Sequence, residues 1–289
     1  MKYGKIGIQA SSSAGSFALN LIGTTNQSWS ESGSLDIASL TLNVNINNPA
    51  GVTINVPQTI GTNIVFNLIN GNITTTSSNS LTVSTGSISG GSSSSFIDGP
   101  LKHEISVTGP VSRTYPIGKG STYRPLSLTI TQDVATATTY AAEIFNSPPT
   151  GRVLPGSLSK VSEARYFNIA KGTGANVIAA TVQLSYNADD YVTDYLNLRV
   201  AKDDGAGTWV DLGGVGTANT TGTITSTTNF TSFSDFVLAN GSSGSNPLPV
   251  QLASFVGNFI GNSSVQLEWQ TVSEVNNYGF NVQRYDANS

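Results

Sequence analysis

The chain has no cysteine, a single histidine and a single methionine in 289 residues, and only 10% of its side chains are charged. Without cysteine there are no disulfides, no thiolate metal sites and no cysteine nucleophile. One histidine excludes every motif that needs a histidine pair, HExxH included. No run approaches 18 apolar residues, so no membrane-spanning helix is expected. The net charge of -4 argues against a nucleic-acid partner, which would call for a basic stripe. Nor is there a long segment with apolar residues at i, i+3, i+4 and i+7, so helix should be nearly absent.

What fills the chain is small and polar: 39 Ser, 33 Thr, 27 Asn and 30 Gly. The distribution is uneven. Between Asp36 and Asp98 there are 61 positions without a charge. Within them Leu40, Leu42, Val44 and Ile46 alternate with Thr41, Asn43, Asn45 and Asn47, the period of two of a half-buried strand. Val52, Ile54 and Val56 repeat it after the turn Asn48-Pro49-Ala50-Gly51; Ile64, Phe66 and Leu68 follow, then the turn pair Asn70-Gly71, then Leu81 and Val83. Short strands at this spacing predict a β-solenoid or a β-sandwich over residues 1–95. Outward Thr and Asn suit a solenoid, because stacked neutral side chains form ladders without like-charge repulsion. A charge-free strand region also favours self-assembly, since edge strands are normally guarded by Lys or Pro.

Charges return after Gly90-Gly91 and the four serines that follow, and residues 96–240 read as a β-sandwich with strands at Leu126–Ile130, Tyr140–Phe145, Tyr166–Ile169, Val182–Tyr186, Leu196–Val200 and Phe236–Leu238. Residues 241–247 have the composition of a flexible linker. Residues 248–289 are too few for an independent sandwich and predict a partial module with strands at Val265–Trp269 and Phe280–Arg284. At the other end, Met1–Ser13 lacks the apolar core of a secretory signal; the composition nonetheless favours a mature or truncated exported chain over a cytoplasmic one.

Leu248-Pro249-Val250-Gln251-Leu252, Ser254-Phe255, Leu267-Glu268-Trp269-Gln270-Thr271, Ser273-Glu274 and Asn276-Asn277-Tyr278-Gly279-Phe280-Asn281-Val282-Gln283-Arg284 occur in that order. Together they resemble the fibronectin-type-III-like module that precedes the sorting domain of type IX-secreted surface proteins in Bacteroidota and related phyla. That pattern reads LPVEL, SF, LxWxT and SExNNxGFxVQRS; Gln251 stands where Glu is usual, and Tyr285 where Ser is usual. Residues 96–240 are more loosely similar to the β-rich region before that module, through Tyr115-Pro116-Ile117-Gly118-Lys119-Gly120, Tyr123-Arg124-Pro125-Leu126 and Trp209-Val210-Asp211-Leu212-Gly213-Gly214. The resemblance implies export across an outer membrane, then surface attachment or release.

Chemistry-bearing residues are few. There is no GxSxG, no Walker loop and no GxGxxG, so no cofactor is expected. His103, in Leu101-Lys102-His103-Glu104-Ile105, reads as an exposed strand histidine rather than a triad member. Asp189, Asp190, Asp194, Asp203, Asp204 and Asp211 are the carboxylates from which a hydrolytic pair would be drawn; Asp189-Asp190 and Asp203-Asp204, at turn-like places, read first as turn caps. Asp203 and Asp204 are also weak calcium candidates. Trp209 and Trp269 are expected in cores, whereas Trp29, with no apolar neighbours, is the candidate ligand contact unless it caps the first β-layer. Arg113, Lys119 and Arg124 flank Tyr115 and Tyr123 and would suit an acidic polysaccharide if they shared a face.

Three readings follow. The first is an extracellular or cell-surface structural and adhesive β-protein without catalysis, its partners cell-surface or matrix components, polysaccharide among them. The second is a subunit of a self-assembling fibre, a homopolymer completed by strand exchange, for which Lys5–Ile22 has the apolar content of a donor strand. The third is the non-catalytic part of a secreted hydrolase.

Overall fold

The computed structural model describes residues 15–30, 33–35, 40–248, 252–261, 264–271 and 282. The chain is all-β; among the described residues the only helical turns are the two 3-10 turns Ala188–Asp190 and Tyr195–Asn197.

The first part is a three-faced parallel solenoid, with four rungs among the described residues. Ser16–Ile22 (β1), Gln27–Trp29 (β2) and Gly33–Leu35 (β3) form the first rung, and Thr41–Asn47 (β4), Val52–Ile54 (β5) and Gln58–Ile60 (β6) the second. Ile64–Asn70 (β7), Ile73–Thr74 (β8) and Leu81–Val83 (β9) form the third, and Ser87–Gly90 (β10), Ile97–Asp98 (β11) and Leu101–Ile105 (β12) the fourth. Each strand pairs in parallel with its counterpart one rung on: Ser16 with Thr41, Leu42 with Ile64, Val65 with Ser87.

Register explains the composition. In β4 the residues Leu42, Val44 and Ile46 are buried while Thr41, Asn43 and Asn45 are not. In-register stacking sets Val44 between Leu19 and Phe66 inside, and Asn45 between Asn20 and Asn67 outside. The outer asparagines hydrogen-bond along the stack: Asn45 Nδ2 donates to Asn20 Oδ1 at 2.7 Å, and Asn67 Nδ2 to Asn45 Oδ1 at 2.8 Å. Rungs lie about 4.8 Å apart, so a charged residue repeated at such a position would face its own kind, which is destabilising. That accounts for the neutrality of this stretch.

Polar groups also tie the solenoid's corners from within. Asn48, fully buried, donates from Nδ2 to the Thr25 carbonyl at 2.8 Å and accepts from the Ala50 amide at 3.0 Å. The buried hydroxyls of Thr75 and Ser95 donate to the carbonyls of Pro100 and Gly71. Gly71 takes φ +85°, and a Cβ there would lie 1.7 Å from the Asn48 carbonyl oxygen, so only glycine fits this turn.

Composition changes after Ser95, but the backbone pairing does not break there. The third face continues as β12 pairs in parallel with β9 and antiparallel with Thr138–Phe145 (β17). The elements between are Val111–Tyr115 (β13), Ile117–Lys119 (β14), Thr122–Tyr123 (β15) and Leu126–Gln132 (β16). After β17 come Leu158–Val161 (β18), Tyr166–Lys171 (β19), Val177–Tyr186 (β20), Leu198–Asp203 (β21), Trp209–Asp211 (β22), Gly222–Thr225 (β23) and Asp235–Gly241 (β24). One sheet runs β22-β21-β24-β19-β17-β12-β9-β6-β3, with β18 on β24, so a single ladder spans solenoid and sandwich. The other sandwich sheet, β13-β16-β20-β23, shares its core: Leu128, Ile130, Val182 and Ile224 join Tyr140, Phe167, Phe236 and the solenoid's interior. Tyr115 donates its buried hydroxyl to the Tyr140 carbonyl across the two sheets at 2.9 Å.

The strands expected from alternation at Leu126, Tyr140, Tyr166, Val182 and Phe236 are present. The strand expected at Leu196 begins two residues later, because Tyr195–Asn197 is a 3-10 turn. The stretch expected to be a flexible linker is pinned at Asn246, which is buried. Its Oδ1 accepts from the amides of Thr193 (2.8 Å) and Asp194 (2.7 Å), and its Nδ2 donates to Asn240 Oδ1 at 2.7 Å. Beyond it, Leu252–Phe259 (β25) and Val265–Thr271 (β26) form an antiparallel hairpin. The Lys5–Gly15 part of the expected donor strand lies outside the described residues apart from Gly15 itself, and so does the strand Phe280–Arg284 apart from Val282.

Candidate functional site

His103 faces the core, not solvent as its polarity suggests. It shares the parity of Leu101 and Ile105, and the burial of β12 alternates so that all three face inward; His103 is 4% exposed rather than an exposed strand histidine. Its ring meets Tyr115 edge-on with centroids 4.7 Å apart, and Nε2 donates to the Thr114 carbonyl at 3.1 Å. Nδ1 has no partner among the described residues. Burial lowers its pKa to about 4, against the hydrogen bond to Thr114, which raises it, and with help from the Arg113 charge. This is a neutral core histidine next to a tyrosine whose own pKa burial raises.

Trp29 is half-buried, its ring 5.9 Å from Phe66 against the solenoid core. Trp209 is buried, as expected, whereas Trp269 is 39% exposed on the β25–β26 hairpin, opposite Phe255. Asp203 is taken by Arg152, with Nε 2.7 Å from Oδ1, and Arg152 also reaches Asp235 at 3.0 Å while lying 4.9 Å over the Trp209 ring. Asp203 Oδ1 caps the Gly205 amide, and Asp204 Oδ1 caps Ala206 and Thr208. An arginine thus supplies the charge a cation would bring to Asp203, and Asp204 serves its own turn. Asp211 caps Gly213, and Asp194 accepts from Asn197 and Ser245. The three basic residues do not gather: Lys119 pairs with Asp98 at 3.0 Å, Arg124 is buried, and Arg113 bonds its neighbour's carbonyl.

Asp189 and Asp190 do come together with other functional groups. They sit in the 3-10 turn after β20, where Asn187 and Asp190 cap one another's backbone. Asp190, fully buried, accepts from Arg124 Nε at 2.8 Å and from the Asn187 amide at 2.8 Å. Arg165 Nε lies 3.1 Å from its other oxygen, close enough for an ion pair but misaligned for a hydrogen bond. Asp189 bridges the two arginines: Oδ1 accepts from Arg124 and Oδ2 from Arg165 at 2.6 Å. Two buried arginines and two aspartates therefore balance. Partial burial pushes the Asp189 carboxyl up, but the hydrogen bond and charge of Arg165 and the charge of Arg124 outweigh it and hold the pKa below the usual carboxylate range.

Above this cluster is an open cleft of about 280 Å³. Ser121, Thr122 and Tyr123 come from the β14–β15 turn and strand, Ser93 from the solenoid corner, and Asn187 and Asp189 from the 3-10 turn, with Arg124 also lining it. Arg124 and the two aspartates are visible in the sequence as separate features, but they are about 65 positions apart and only the topology joins them. Arg165, Arg152, Asn187 and the hydroxyl walls carry no sequence signal, because isolated polar residues of these types occur throughout the chain.

No protein-family model, curated protein or solved structure matches the chain.

Proposed function

We propose that the chain is an extracellular or cell-surface β-scaffold whose work is structural and adhesive rather than catalytic. The observation that carries this reading is the single ladder from β3 to β22, on which a sparsely charged solenoid and a sandwich share one core. Such an arrangement leaves few backbone amides free for a protease, and its neutral Asn and Thr rows suit a shaft held in variable salt. The placement outside the cell rests on the motifs between Leu248 and Arg284 that resemble the module of type IX-secreted surface proteins. Limited proteolysis with proteinase K tests the scaffold: a resistant core covering about residues 40–248 is expected, and rapid cleavage within the solenoid would refute it.

A second reading, the fibre subunit, is favoured by the β25–β26 hairpin. Phe255, Val256, Phe259, Ile260 and Val265 are all exposed there, Phe259 by 82%. Exposed apolar residues along both strands of a two-stranded hairpin suit completion by strands from elsewhere. Size-exclusion chromatography with negative-stain microscopy separates the readings: filaments at high concentration support the fibre, and a monodisperse monomer leaves the scaffold alone.

A further inference from the structure

The cleft over the Arg124–Asp189 cluster has three properties that together specify a ligand class. The first is charge. Arg124 and Arg165 are each paired with Asp189 and Asp190, so among the described residues the cluster offers no uncompensated charge to an ion of either sign. A charged ligand entering it would lose hydration without gaining a counter-charge.

The second is a surplus of fixed hydrogen-bonding groups. Among the described residues the hydroxyls of Ser93, Ser121, Thr122 and Tyr123 have no protein partner. Asn187 Oδ1 accepts from the Ala188 amide at 2.8 Å and from Thr221 Oγ1 at 2.7 Å, which sets the amide's orientation and leaves its NH2 unspent. The Asp189 side chain is 52% exposed, and each of its oxygens keeps a lone pair after accepting from an arginine. Held from two sides, that carboxylate can take two adjacent hydroxyl donors without first being ordered.

The third is size and rigidity. At about 280 Å³ the cleft lies just below the usual range for small-molecule pockets, roughly 300–1,000 Å³, so it has room for one ring, with any further units of a chain lying outside it. Tyr123 stacks on Phe96 at 5.8 Å and 27°. Its phenol oxygen would come within 2.7 Å of a Cβ on Gly91, so a residue without a side chain lets the ring lie where it does. A fixed phenol beside hydroxyls and a carboxylate offers the O–H groups of a ligand several placed partners.

We propose that this cleft binds one neutral sugar residue, the terminal unit of a glycan, with adjacent hydroxyls on Asp189 and the Asn187 amide as a further donor. The inference deepens the adhesive part of the proposed function and rests on that reading for its purpose, though the binding can be measured without it. So few contacts on an open surface give a Kd of about 1–10 mM for a single sugar.

The test is saturation-transfer NMR on the full chain. The probes are the methyl glycosides of glucose, galactose, mannose and N-acetylglucosamine, with glucuronic acid as the charged comparison. At least one neutral glycoside is expected to receive saturation, and glucuronic acid to receive less than methyl glucoside. Ser121→Trp should reduce the signal at least tenfold by filling the cleft; Ser121 is exposed and hydrogen-bonds to nothing described, so the melting temperature should not move. Asp189→Asn should reduce it too, with its melting temperature measured alongside. No signal from any glycoside, a signal that Ser121→Trp leaves unchanged, or tighter binding of glucuronic acid each overturns the proposal. Failure here with a protease-resistant core would leave the scaffold standing, and a readily digested chain that still binds sugar would do the reverse.

Discussion

Lowering the pH from 7 to 5 should destabilise this protein through one side chain. His103 is the only histidine in the chain, and its pKa is 6.5 in a free imidazole and about 4 in the fold. Between those values the unfolded chain binds a proton that the folded one refuses, so stability rises with pH across the window. The stability is fully present above 6.5 and is lost as the pH falls towards 4. A shift of that size is worth about 2 kcal/mol at pH 5 and about 3 kcal/mol at pH 4, since each unit carries about 1.36 kcal/mol. Carboxylates with lowered values act below this window, whereas Glu143, raised above the ordinary 4.5, acts at its lower edge. Asp189 and Asp203 have lowered values and lose their contributions below the ordinary carboxylate range, while burial raises Glu143, which acts with the opposite sign. A non-titrating control separates the histidine from them. His103→Gln keeps an amide N–H for the Thr114 carbonyl, and urea unfolding of both proteins from pH 7.5 to 4.5 should show the wild type falling relative to the variant. A lone imidazole also gives a lone C2 proton resonance, whose titration reads the pKa directly. Parallel stability curves, or an imidazole titrating near 6.5, would refute the reasoning.

Gly71→Ala should cost more than about 3 kcal/mol or abolish folding, because its Cβ would overlap the Asn48 carbonyl, whereas Gly120→Ala, with φ +62° and nothing within 4 Å, should cost about 1 kcal/mol; thermal melts of the pair measure the difference. Arg152→Ala removes the shared partner of Asp203 and Asp235 and the cation over Trp209, so chemical denaturation should show a loss of about 2–3 kcal/mol, and a change under 0.5 kcal/mol would mean that the ion pairs contribute nothing net.

Much of the fold was legible because alternation reports directly on burial. Thr41–Asn47 and Ile64–Asn70 read as strands from their sequence and are strands, and the neutral outward rows pointed to stacking before any pairing was known. The rung itself was harder to see. Three-residue strands such as Gln27–Trp29 and Gln58–Ile60 carry too few side chains for a period, and the partners of successive rungs are not equally spaced in the chain. His103 is different: a polar side chain suggests the outer face of β12, but its parity with Leu101 and Ile105 sets it inside. The ion-pair cluster was not legible at all. Arg124 and Arg165 reach Asp189 and Asp190 only because β16, β19 and β20 bring their ends together, and no local pattern encodes that.

The stacked rungs also make the length of this molecule a countable quantity. Because each rung pairs in register with the next, a duplicated second rung would find its own Asn45 ladder and its own Val44 interior already matched above and below. It would raise the sandwich by about 4.8 Å and leave Arg124 and the aspartates untouched, since they lie beyond the last rung in sequence. Reach can therefore change in whole steps while the far end keeps its shape.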